Sequence, residues 1–447
     1  MVVEAWLVRA AATRPRRVAL ATAEGKLTYT ELLGSAAAAA VWMSERGVGP
    51  GDRVALALRP GLAFIEALHA CLLLGATAVP IDLRLSAPER ITLSTGALLT
   101  VEEPSWEGAQ RRSVAQEETL RGASHDLDAA AVVLHTSGTT SAPRPVVLTY
   151  GNLLWSALGS AVALGVDRNE RWLCALPLAH VGGLSVLVRS AIYASTAVVH
   201  ERFDADRVLH SLRTEDITVV SVVATTLRRL LDAGLEHPPA LRCALAGGGP
   251  VPAALLARAR TAGVPVCQTY GLTESCSQAT TTPVAALGDA ASSAGPPLFC
   301  TRARISGQGE ILLRGPTVAP AAVAQDGWLH TGDLGHMDEH GRLRVTGRAA
   351  DTIISGGENV APAEVEAVLE AHPDVAEAAV VARTDSQWGE AVTAIVVPHG
   401  DAPPESESLR VHCTERLASF KVPRQFLHRT EPLPRTRSGK LLRRGLT

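Results

Sequence analysis

The interpretation of this chain starts from one stretch, His135-Thr136-Ser137-Gly138-Thr139-Thr140-Ser141-Ala142-Pro143-Arg144. It follows the apolar run Val132–Leu134, which predicts a short buried strand. Hydroxyl groups and free backbone N–H groups can cradle phosphate oxygens, and glycine lets the backbone come close. The spacing is not that of a Walker loop. Taken alone, the stretch therefore fits both a phosphate loop and an ordinary polar turn.

Short apolar runs alternate with helical patterns on both sides of this stretch. Helices are predicted at Thr28–Glu45, near Leu62–Leu74 and from Ala87. Such alternation is typical of helices packed on largely parallel sheets. The predicted strands of this region are Val54–Leu58, Thr77–Ile81, Trp172–Leu176, Thr196–Val199, Thr218–Val223 and Ala240–Ala246.

The pattern changes in the last third of the chain. Short strands joined by turns are predicted at Glu310–Arg314, Gly327–Asp333 and Arg342–Thr346, and a new α+β unit begins past Arg348. We therefore predict an α/β protein with a large N-terminal domain of parallel-type sheets, packed helices and a small β-subdomain. This domain covers residues 1–347, a hinge covers 348–351, and a small α+β C-terminal domain covers 352–447.

The composition excludes several classes of protein. With 447 residues, 47% of them hydrophobic, and a formal charge of −3, the chain can build large cores but lacks the basic surface typical of nucleic-acid-binding proteins. No apolar run reaches the roughly 20 residues of a membrane span. The N-terminus, with Glu4, does not resemble a signal peptide. Seven scattered cysteines without a CxxC motif fit neither a disulfide framework nor a zinc site, so we expect a cytoplasmic protein.

Lysine is rare in this sequence. Of 42 basic residues only Lys26, Lys421 and Lys440 are lysines. Arginine is a broad planar fork, whereas lysine is a compact charge on a flexible stem. Each of these lysines is therefore a candidate for a place where arginine will not serve.

Further motifs follow predicted strands or close the chain. Strands are followed by Ala246-Gly247-Gly248-Gly249-Pro250 and by Thr269-Tyr270-Gly271-Leu272-Thr273-Glu274. Glycine-rich turns in this position often approach a nucleotide, and a carboxylate such as Glu274 can hold Mg²⁺ beside phosphate. Gly327–Asp333 ends in an acid suited to a ribose diol, and Leu433–Lys440 is a basic turn. Taken singly, these motifs are also explained by packing turns and a solvated basic tail.

The order and wording of these motifs together resemble the adenylate-forming superfamily, which includes acyl- and aryl-CoA ligases, adenylation domains of peptide synthetases and luciferases. The resemblance covers nearly the whole chain, from Leu27-Thr28-Tyr29 to Lys440. It implies that ATP, Mg²⁺ and CoA are bound and that an acid is activated as an acyl-adenylate. It also implies that the small C-terminal domain is mobile, with the active site at the domain junction.

Carried over position by position, the resemblance implies roles for individual residues. Glu274 would hold Mg²⁺ and act in catalysis, and Lys440 would be catalytic in adenylation. One of the three lysines thus falls where the family needs a lysine. Gly356 and Gly357 would bind CoA, and Ala350 would be the hinge. The residues that would bind ATP are Thr136, Ser137, Gly138, Thr139, Thr140, Arg144, Gly247, Gly248, Tyr270, Gly271, Thr273, Asp333 and Arg348.

The phosphate loop departs from the family pattern. Ser141 and Pro145 stand where glycines are usual, and Arg144 stands in place of a lysine. Because proline fixes φ and removes a donor, we expect Pro145 to stiffen the loop.

The segment Leu176–Tyr193 is similar to the acid-binding helix of the CoA ligases that act on o-succinylbenzoate in menaquinone biosynthesis. Arg189 stands alone there among apolar residues, and a buried cation needs a partner anion. o-Succinylbenzoate carries a ring carboxylate besides the reacting one, and a guanidinium can bind it in a bidentate manner. Pairing of Arg189 with a protein carboxylate or a helix end is the alternative. The other substrate-binding candidates are His180, Thr225 and Ser277.

We therefore predict an acid–thiol ligase that joins 2-succinylbenzoate to CoA through an acyl-adenylate, with release of AMP and pyrophosphate. Two alternatives stay open: a related CoA ligase for another aryl or acyl acid, and a non-catalytic nucleotide-binding relative. The expected partners are an aryl dicarboxylic acid, ATP and CoA, without nucleic acid and without a membrane span. Assembly as a homo-oligomer is left open.

Overall fold

A computed structural model of the chain describes residues 1–104, 106, 122–136, 143–284, 293–355, 358–385, 389–400, 402–435 and 441–446. The first strands are β1 (Val2–Glu4), β2 (Val18–Ala21), β3 (Lys26–Thr28), β4 (Arg53–Leu56), β5 (Thr77–Pro80), β6 (Leu99–Val101), β7 (Ser124–Asp126), β8 (Ala130–Thr136), β9 (Arg144–Thr149), β10 (Arg171–Cys174), β11 (Thr196–Val199), β12 (Val219–Val222), β13 (Cys243–Ala246), β14 (Val266–Tyr270) and β15 (Thr280–Thr281). The helices of this region are α1 (Trp6–Thr13), α2 (Tyr29–Ser44), α3 (Leu62–Leu74), α4 (Ala87–Ser94), α5 (Tyr150–Leu164), α6 (Val181–Tyr193), α7 (Ala205–Thr214), α8 (Ala224–Asp232) and α9 (Ala253–Thr261).

These strands form two main sheets. One has the order β15-β14-β13-β12-β10-β11-β2-β3, and its strands from β14 to β2 pair in parallel. The other has the order β6-β4-β5-β8-β9, with parallel pairing except for its antiparallel edge strand β9. β1 and β7 form a separate antiparallel pair. The predicted α/β architecture with parallel-type sheets is confirmed.

Local signals explain where the helices begin and end. The Thr28 hydroxyl accepts the Glu31 N–H, and the Glu31 carboxylate accepts the Thr28 N–H at 2.7 Å, which closes a capping box at the start of α2. α3 lies between Gly61 and Gly75, and Gly75 has a left-handed φ of 69° that terminates the helix. The helix predicted near Leu62–Leu74 therefore has the observed bounds.

A small antiparallel sheet follows, formed by β16 (Arg302–Ile305), β17 (Glu310–Arg314), β18 (Leu329–Met337) and β19 (Leu343–Arg348). The 3-10 turn Ala349–Asp351 then leads to the C-terminal unit. This unit contains β20 (Ile353–Ser355), β21 (Glu358–Val360), β22 (Val375–Asp385), β23 (Gly389–Pro398) and β24 (Gln425–His428), with α10 (Pro362–Leu369) and α11 (Ser406–Thr414). The β-subdomain and the α+β unit are thus present, while the domain bounds and the hinge at 348–351 stay predictions.

The seven cysteines are all free and mostly buried. Cys71, Cys174, Cys243, Cys267 and Cys276 lie in the largest core of the N-terminal part, and Cys413 lies in the C-terminal core. Burial raises the pKa of Cys71 and Cys174 to about 12 and that of Cys413 to about 11. In the part of the chain that the structure describes, no helix combines the length and the apolar character needed to cross a bilayer.

Candidate active site

The parallel strands β10, β12, β13 and β14 are neighbours in the larger sheet. Their carboxyl ends therefore meet at one edge, where open α/β sheets bind ligands. The chain beyond these ends carries His180, Thr225, Gly247 and Gly271. Four predicted site residues from distant parts of the sequence are thus brought to the same edge.

Asp333 is the centre of a hydrogen-bonded group of predicted ATP-binding residues. Its carboxylate is 5% exposed. Arg348, opposite it on β19, binds one carboxylate oxygen at 2.8 Å, and the Tyr270 hydroxyl donates to the other at 2.8 Å. Burial and the Asp333 charge raise the pKa of Tyr270. Each carboxylate oxygen has a second lone pair, so Asp333 can also accept hydrogen bonds from a diol.

Two of the predicted ATP-binding glycines lie against other parts of the protein. A Cβ atom at Gly271 would lie 1.6 Å from the carbonyl oxygen of Ser277, and one at Gly247 would lie 2.7 Å from a methyl carbon of Thr269. Gly248 has a left-handed φ of 76°. Gly271 and Gly247 therefore leave no room for a side chain, and the φ of Gly248 favours glycine.

The phosphate-loop stretch connects two paired strands. Thr136 ends β8 and faces Arg144, which begins β9, and the Thr136 hydroxyl donates to the Arg144 carbonyl oxygen at 3.4 Å. The predicted phosphate ligands Ser137, Gly138, Thr139 and Thr140 lie outside the described residues.

Pro145 lies inside β9, opposite His135, and not in the loop itself. The expected stiffening effect of Pro145 on the adjoining loop stays a prediction. β9 is the edge strand of its sheet, where a proline that cannot donate a hydrogen bond is tolerated.

The predicted metal ligand Glu274 lies in the short 3-10 turn Thr273–Ser275 and is half-buried. Among the described residues, its carboxylate has neither a hydrogen-bond partner nor an ion-pair partner, and no group of three His, Cys, Asp or Glu side chains could hold a metal ion. The proposed hinge Ala350 lies in the 3-10 turn Ala349–Asp351. Lys440, Gly356 and Gly357 lie outside the described residues.

Arg189 lies on α6 with 2% of its surface exposed. Within the described ranges, no carboxylate pairs with it. Its one hydrogen bond there is donated to the Ser156 hydroxyl at 3.0 Å, and its Nε has no partner. The guanidinium carbon lies 5.5 Å from the centroid of the Trp172 ring. The alternative of a protein carboxylate partner is therefore not observed.

Among the residues that the structure describes, no anion balances the charge of Arg189. Burial lowers the pKa of Arg189, and the nearby Tyr193 hydroxyl and Cys276 thiol oppose this shift only when ionised. Burial raises the pKa of both groups to about 12, so both are neutral near pH 7. A buried guanidinium in this state favours the binding of an anionic ligand.

The sequence analysis did not assign a site role to two residues beside Arg189, Ser156 and Cys276. Ser156, on α5, is 2% exposed, accepts the Arg189 N–H and donates to the carbonyl oxygen of Cys276 at 2.6 Å. Cys276 and Ser277 have left-handed φ values of 54° and 85°. Non-glycine residues in this region are strained and concentrate at functional sites. Ser156 stands in Trp155-Ser156-Ala157, a stretch similar to the CoA ligases that act on o-succinylbenzoate, but this similarity alone gives the serine no role.

The other acid-binding candidates lie beyond the ends of strands at this sheet edge or next to the contacts of Arg189. His180 is the N-cap of α6, and its Nε2 lies 3.9 Å from a carboxylate oxygen of Asp82. Thr225 lies in the first turn of α8 and is half-buried. Ser277 follows Cys276 directly. The roles of these three residues stay predictions.

Arginine side chains connect the C-terminal unit to α8 and to the turn Ala349–Asp351. Arg228, on α8, donates to the carbonyl oxygen of Ala376 on β22 at 2.7 Å. Arg443 binds Asp351 at 2.9 Å and Glu366 at 2.8 Å. The C-terminal segment is thereby attached to the turn that contains Ala350 and to α10.

Comparisons with known proteins agree over the full length. Family models described as "AMP-binding enzyme" and "AMP-binding enzyme C-terminal domain" match residues 7–321 and 364–440. The 2-succinylbenzoate–CoA ligase of Bacillus licheniformis is 41% identical over 99% of this chain and 98% of its own length. The o-succinylbenzoate CoA synthetase of Bacillus subtilis, solved in complex with the acyl-adenylate intermediate OSB-AMP, is 38% identical, with a TM-score of 0.89 over 100% of this chain and 98% of that chain. The same enzyme solved with ATP and magnesium ion gives a TM-score of 0.88 at 38% identity, over 100% of both chains.

Proposed function

The chain belongs to the family of AMP-binding enzymes, and on this premise we propose that it activates 2-succinylbenzoate with ATP and transfers the acyl group to CoA. The products are the CoA thioester, AMP and pyrophosphate. Full-length relatives named for this activity support the proposal. The step belongs to menaquinone biosynthesis, and we propose a cytoplasmic location, where ATP and CoA are available.

The observation that carries the identity of the acid is the environment of Arg189. The guanidinium is 2% exposed and has no carboxylate partner among the described residues. A monocarboxylic acid uses its only carboxylate in the reaction and leaves this charge uncompensated. A second carboxylate on the aromatic ring compensates it and can accept two parallel N–H groups. This requirement favours a dicarboxylic acid over a benzoate or a fatty acid.

The donor set fits a magnesium ion that enters with the nucleotide. Mg²⁺ prefers six oxygen ligands and is often held by one or two carboxylates together with substrate phosphates. Glu274 supplies one carboxylate free of other partners in the described part of the chain, and no further acid cluster is found there. We propose that Glu274 is the protein ligand and that phosphate oxygens and water complete the set. The ion would neutralise negative charge on the phosphates.

In the first half-reaction, an oxygen of the aliphatic carboxylate attacks the α-phosphorus of ATP. The bond between this phosphorus and the bridging oxygen breaks, and pyrophosphate leaves. We propose that Asp333 holds the ribose and that Tyr270 stacks on adenine, so that the reacting atoms are oriented before the attack. Lys440 would offset the charge that develops on the α-phosphate.

In the second half-reaction, the thiolate of CoA attacks the acyl carbonyl carbon of the adenylate. The carbon–oxygen bond to the phosphate breaks, and AMP leaves with the electron pair. We propose that the C-terminal domain rotates about Ala350 between the two steps, which withdraws Lys440 and brings Gly356 and Gly357 towards CoA. A hinge needs backbone freedom more than a particular side chain, so alanine is suitable there.

A panel of acids tests the proposal. The enzyme is incubated with ATP, Mg²⁺, CoA and one acid at a time: o-succinylbenzoate, the monocarboxylate 4-oxo-4-phenylbutanoate, benzoate or a fatty acid. Thioester formation is measured by mass spectrometry, and pyrophosphate release by a coupled assay. We expect o-succinylbenzoate to exceed the matched monocarboxylate about a hundredfold in kcat/KM, as for a buried charge pair. Preference for another acid would indicate a related ligase, and no pyrophosphate with any acid would indicate a non-catalytic relative.

A further inference from the structure

We propose that Ser156 is a positioning residue that orients Arg189 towards the ring carboxylate of the acid and so sets the preference for a dicarboxylate. The inference rests on the proposed function, because it assigns the ring carboxylate to Arg189. It concerns a side chain that is 2% exposed, on a different helix from Arg189.

The direction of the hydrogen bonds gives Ser156 this role. A serine hydroxyl has one proton and two lone pairs. The proton of Ser156 is donated to the Cys276 carbonyl oxygen at 2.6 Å, so its lone pairs are left for Arg189, whose N–H lies 3.0 Å away. The side chain therefore cannot donate to the substrate, and its contribution is to hold one edge of the guanidinium. Among the described residues the Nε of Arg189 has no partner, so this N–H group is left for a ligand.

Ser156 also connects the acid site to the nucleotide site. Its acceptor Cys276 directly follows the turn Thr273–Ser275, which carries Glu274. Cys276 and Ser277 are both left-handed, and the Ser277 carbonyl oxygen occupies the place of a Cβ atom at Gly271. This backbone has little freedom to shift. Arg189 is therefore held, through one hydroxyl, at a fixed place relative to the residues predicted to hold phosphate and metal.

This arrangement predicts an effect on specificity that a purely structural serine would not have. If Ser156 only fills the core, its loss lowers activity towards all acids alike. If it orients Arg189, its loss weakens only the acids that carry a second carboxylate. A hydrogen bond to a charged group is strong enough for its loss to change kcat/KM about tenfold or more.

The test compares o-succinylbenzoate with 4-oxo-4-phenylbutanoate, which lacks the ring carboxylate, in the wild type and in Ser156→Ala. We expect kcat/KM for the dicarboxylate to fall about tenfold, mainly through KM, while the monocarboxylate is unaffected. Ser156→Thr keeps a hydroxyl on the same carbon and is expected to restore most of the preference. Thermal unfolding without ligand checks that each variant is folded.

Ser211→Ala is the matched control. Ser211, on α7, is also 2% exposed, and its hydroxyl donates to Glu215 at 2.8 Å. We expect this variant to keep the wild-type ratio between the two acids. An equal loss for both acids in Ser156→Ala, or no loss for either, would overturn the positioning role. If the wild type does not prefer the dicarboxylate, both the proposed function and this inference are overturned. The wild-type measurement alone gives that result, so it is distinguished from a failure of the inference only.

Discussion

Replacing Arg189 with methionine should raise the stability of the free protein while it removes the preference for a dicarboxylate. Methionine fills the volume of the arginine stem without a charge. Arg189 is 2% exposed, donates a hydrogen bond to Ser156 and has its guanidinium carbon 5.5 Å from the Trp172 ring centroid. No anion is paired with it among the described residues. A residue kept for its ligand can cost stability in the absence of that ligand.

The magnitude follows from these contacts. Removing the charge from water costs several kcal/mol in a protein interior. The hydrogen bond from Arg189 to Ser156 offsets about 1.5–3 kcal/mol of this cost, and the contact with Trp172 offsets about 0.5–2 kcal/mol. Loss of Arg189 leaves no donor without an acceptor, because the Ser156 proton stays on the Cys276 carbonyl. We therefore expect Arg189→Met to stabilise the free protein by about 1 kcal/mol, and to lower kcat/KM for the dicarboxylate about a hundredfold.

Two assays and one control check this prediction. Urea unfolding without ligands measures the free energy of unfolding, and thioester formation from the two matched acids measures the preference. The control is Arg242→Met, because Arg242 binds Glu170 at 2.6 Å and Glu170 is 2% exposed. That substitution leaves a buried carboxylate unpaired and should destabilise the protein by about 3–5 kcal/mol. If Arg189→Met is destabilised like the control and keeps the acid preference, the guanidinium is a structural group and the reasoning is refuted.

Three further predictions concern other parts of the molecule. Burial lowers the pKa of His69 and of His125 to about 4; the unfolded chain takes up these protons near pH 6.5, so stability should fall between about pH 6.5 and 4, by up to about 3 kcal/mol for each histidine. Urea unfolding at several pH values measures this, and His69→Leu should flatten the slope. Asp333→Asn should raise KM for ATP about tenfold with little effect on KM for the acid; equal changes in both would contradict a nucleotide role. Lys440→Ala should slow pyrophosphate release about a hundredfold but spare thioester formation from preformed acyl-adenylate, and equal loss in both half-reactions would exclude this division.

Elements with a strong local signal could be predicted from the sequence. α3 has the predicted bounds because a glycine stands at each end, and β11 and β17 match the predicted runs. β14 continues through Tyr270, into the motif that the sequence analysis placed after a strand, because β15 pairs with it from beyond the Gly271 turn. β9, which contains Pro145, was not predicted. Only the sheet order, which puts β9 at an edge, makes the proline acceptable.

The site residues also divide into those that a local pattern predicts and those whose contacts depend on the fold. The isolation of Arg189 among apolar residues is a local property, and its burial is confirmed. The contact of Tyr270 with Asp333 joins residues 63 positions apart, and the contact of Ser156 with Cys276 joins residues 120 positions apart. Such contacts depend on the register of distant strands and on helix packing, which no local pattern specifies. The resemblance to a known family supplied residues such as Asp333, whereas the contacts of Ser156 with Arg189 and Cys276 required the three-dimensional structure.

Because buried cysteines lie in both cores, their alkylation reports the local opening of each core. A buried thiol with a raised pKa reacts with an alkylating reagent only when its surroundings separate. Cys413 lies in the C-terminal core, and Cys71 and Cys174 lie in the N-terminal core. Pulse labelling followed by peptide mass analysis would therefore time the opening of each core separately, without any engineered probe. Ligands that engage only one core would protect its cysteines and leave the labelling of the other unchanged.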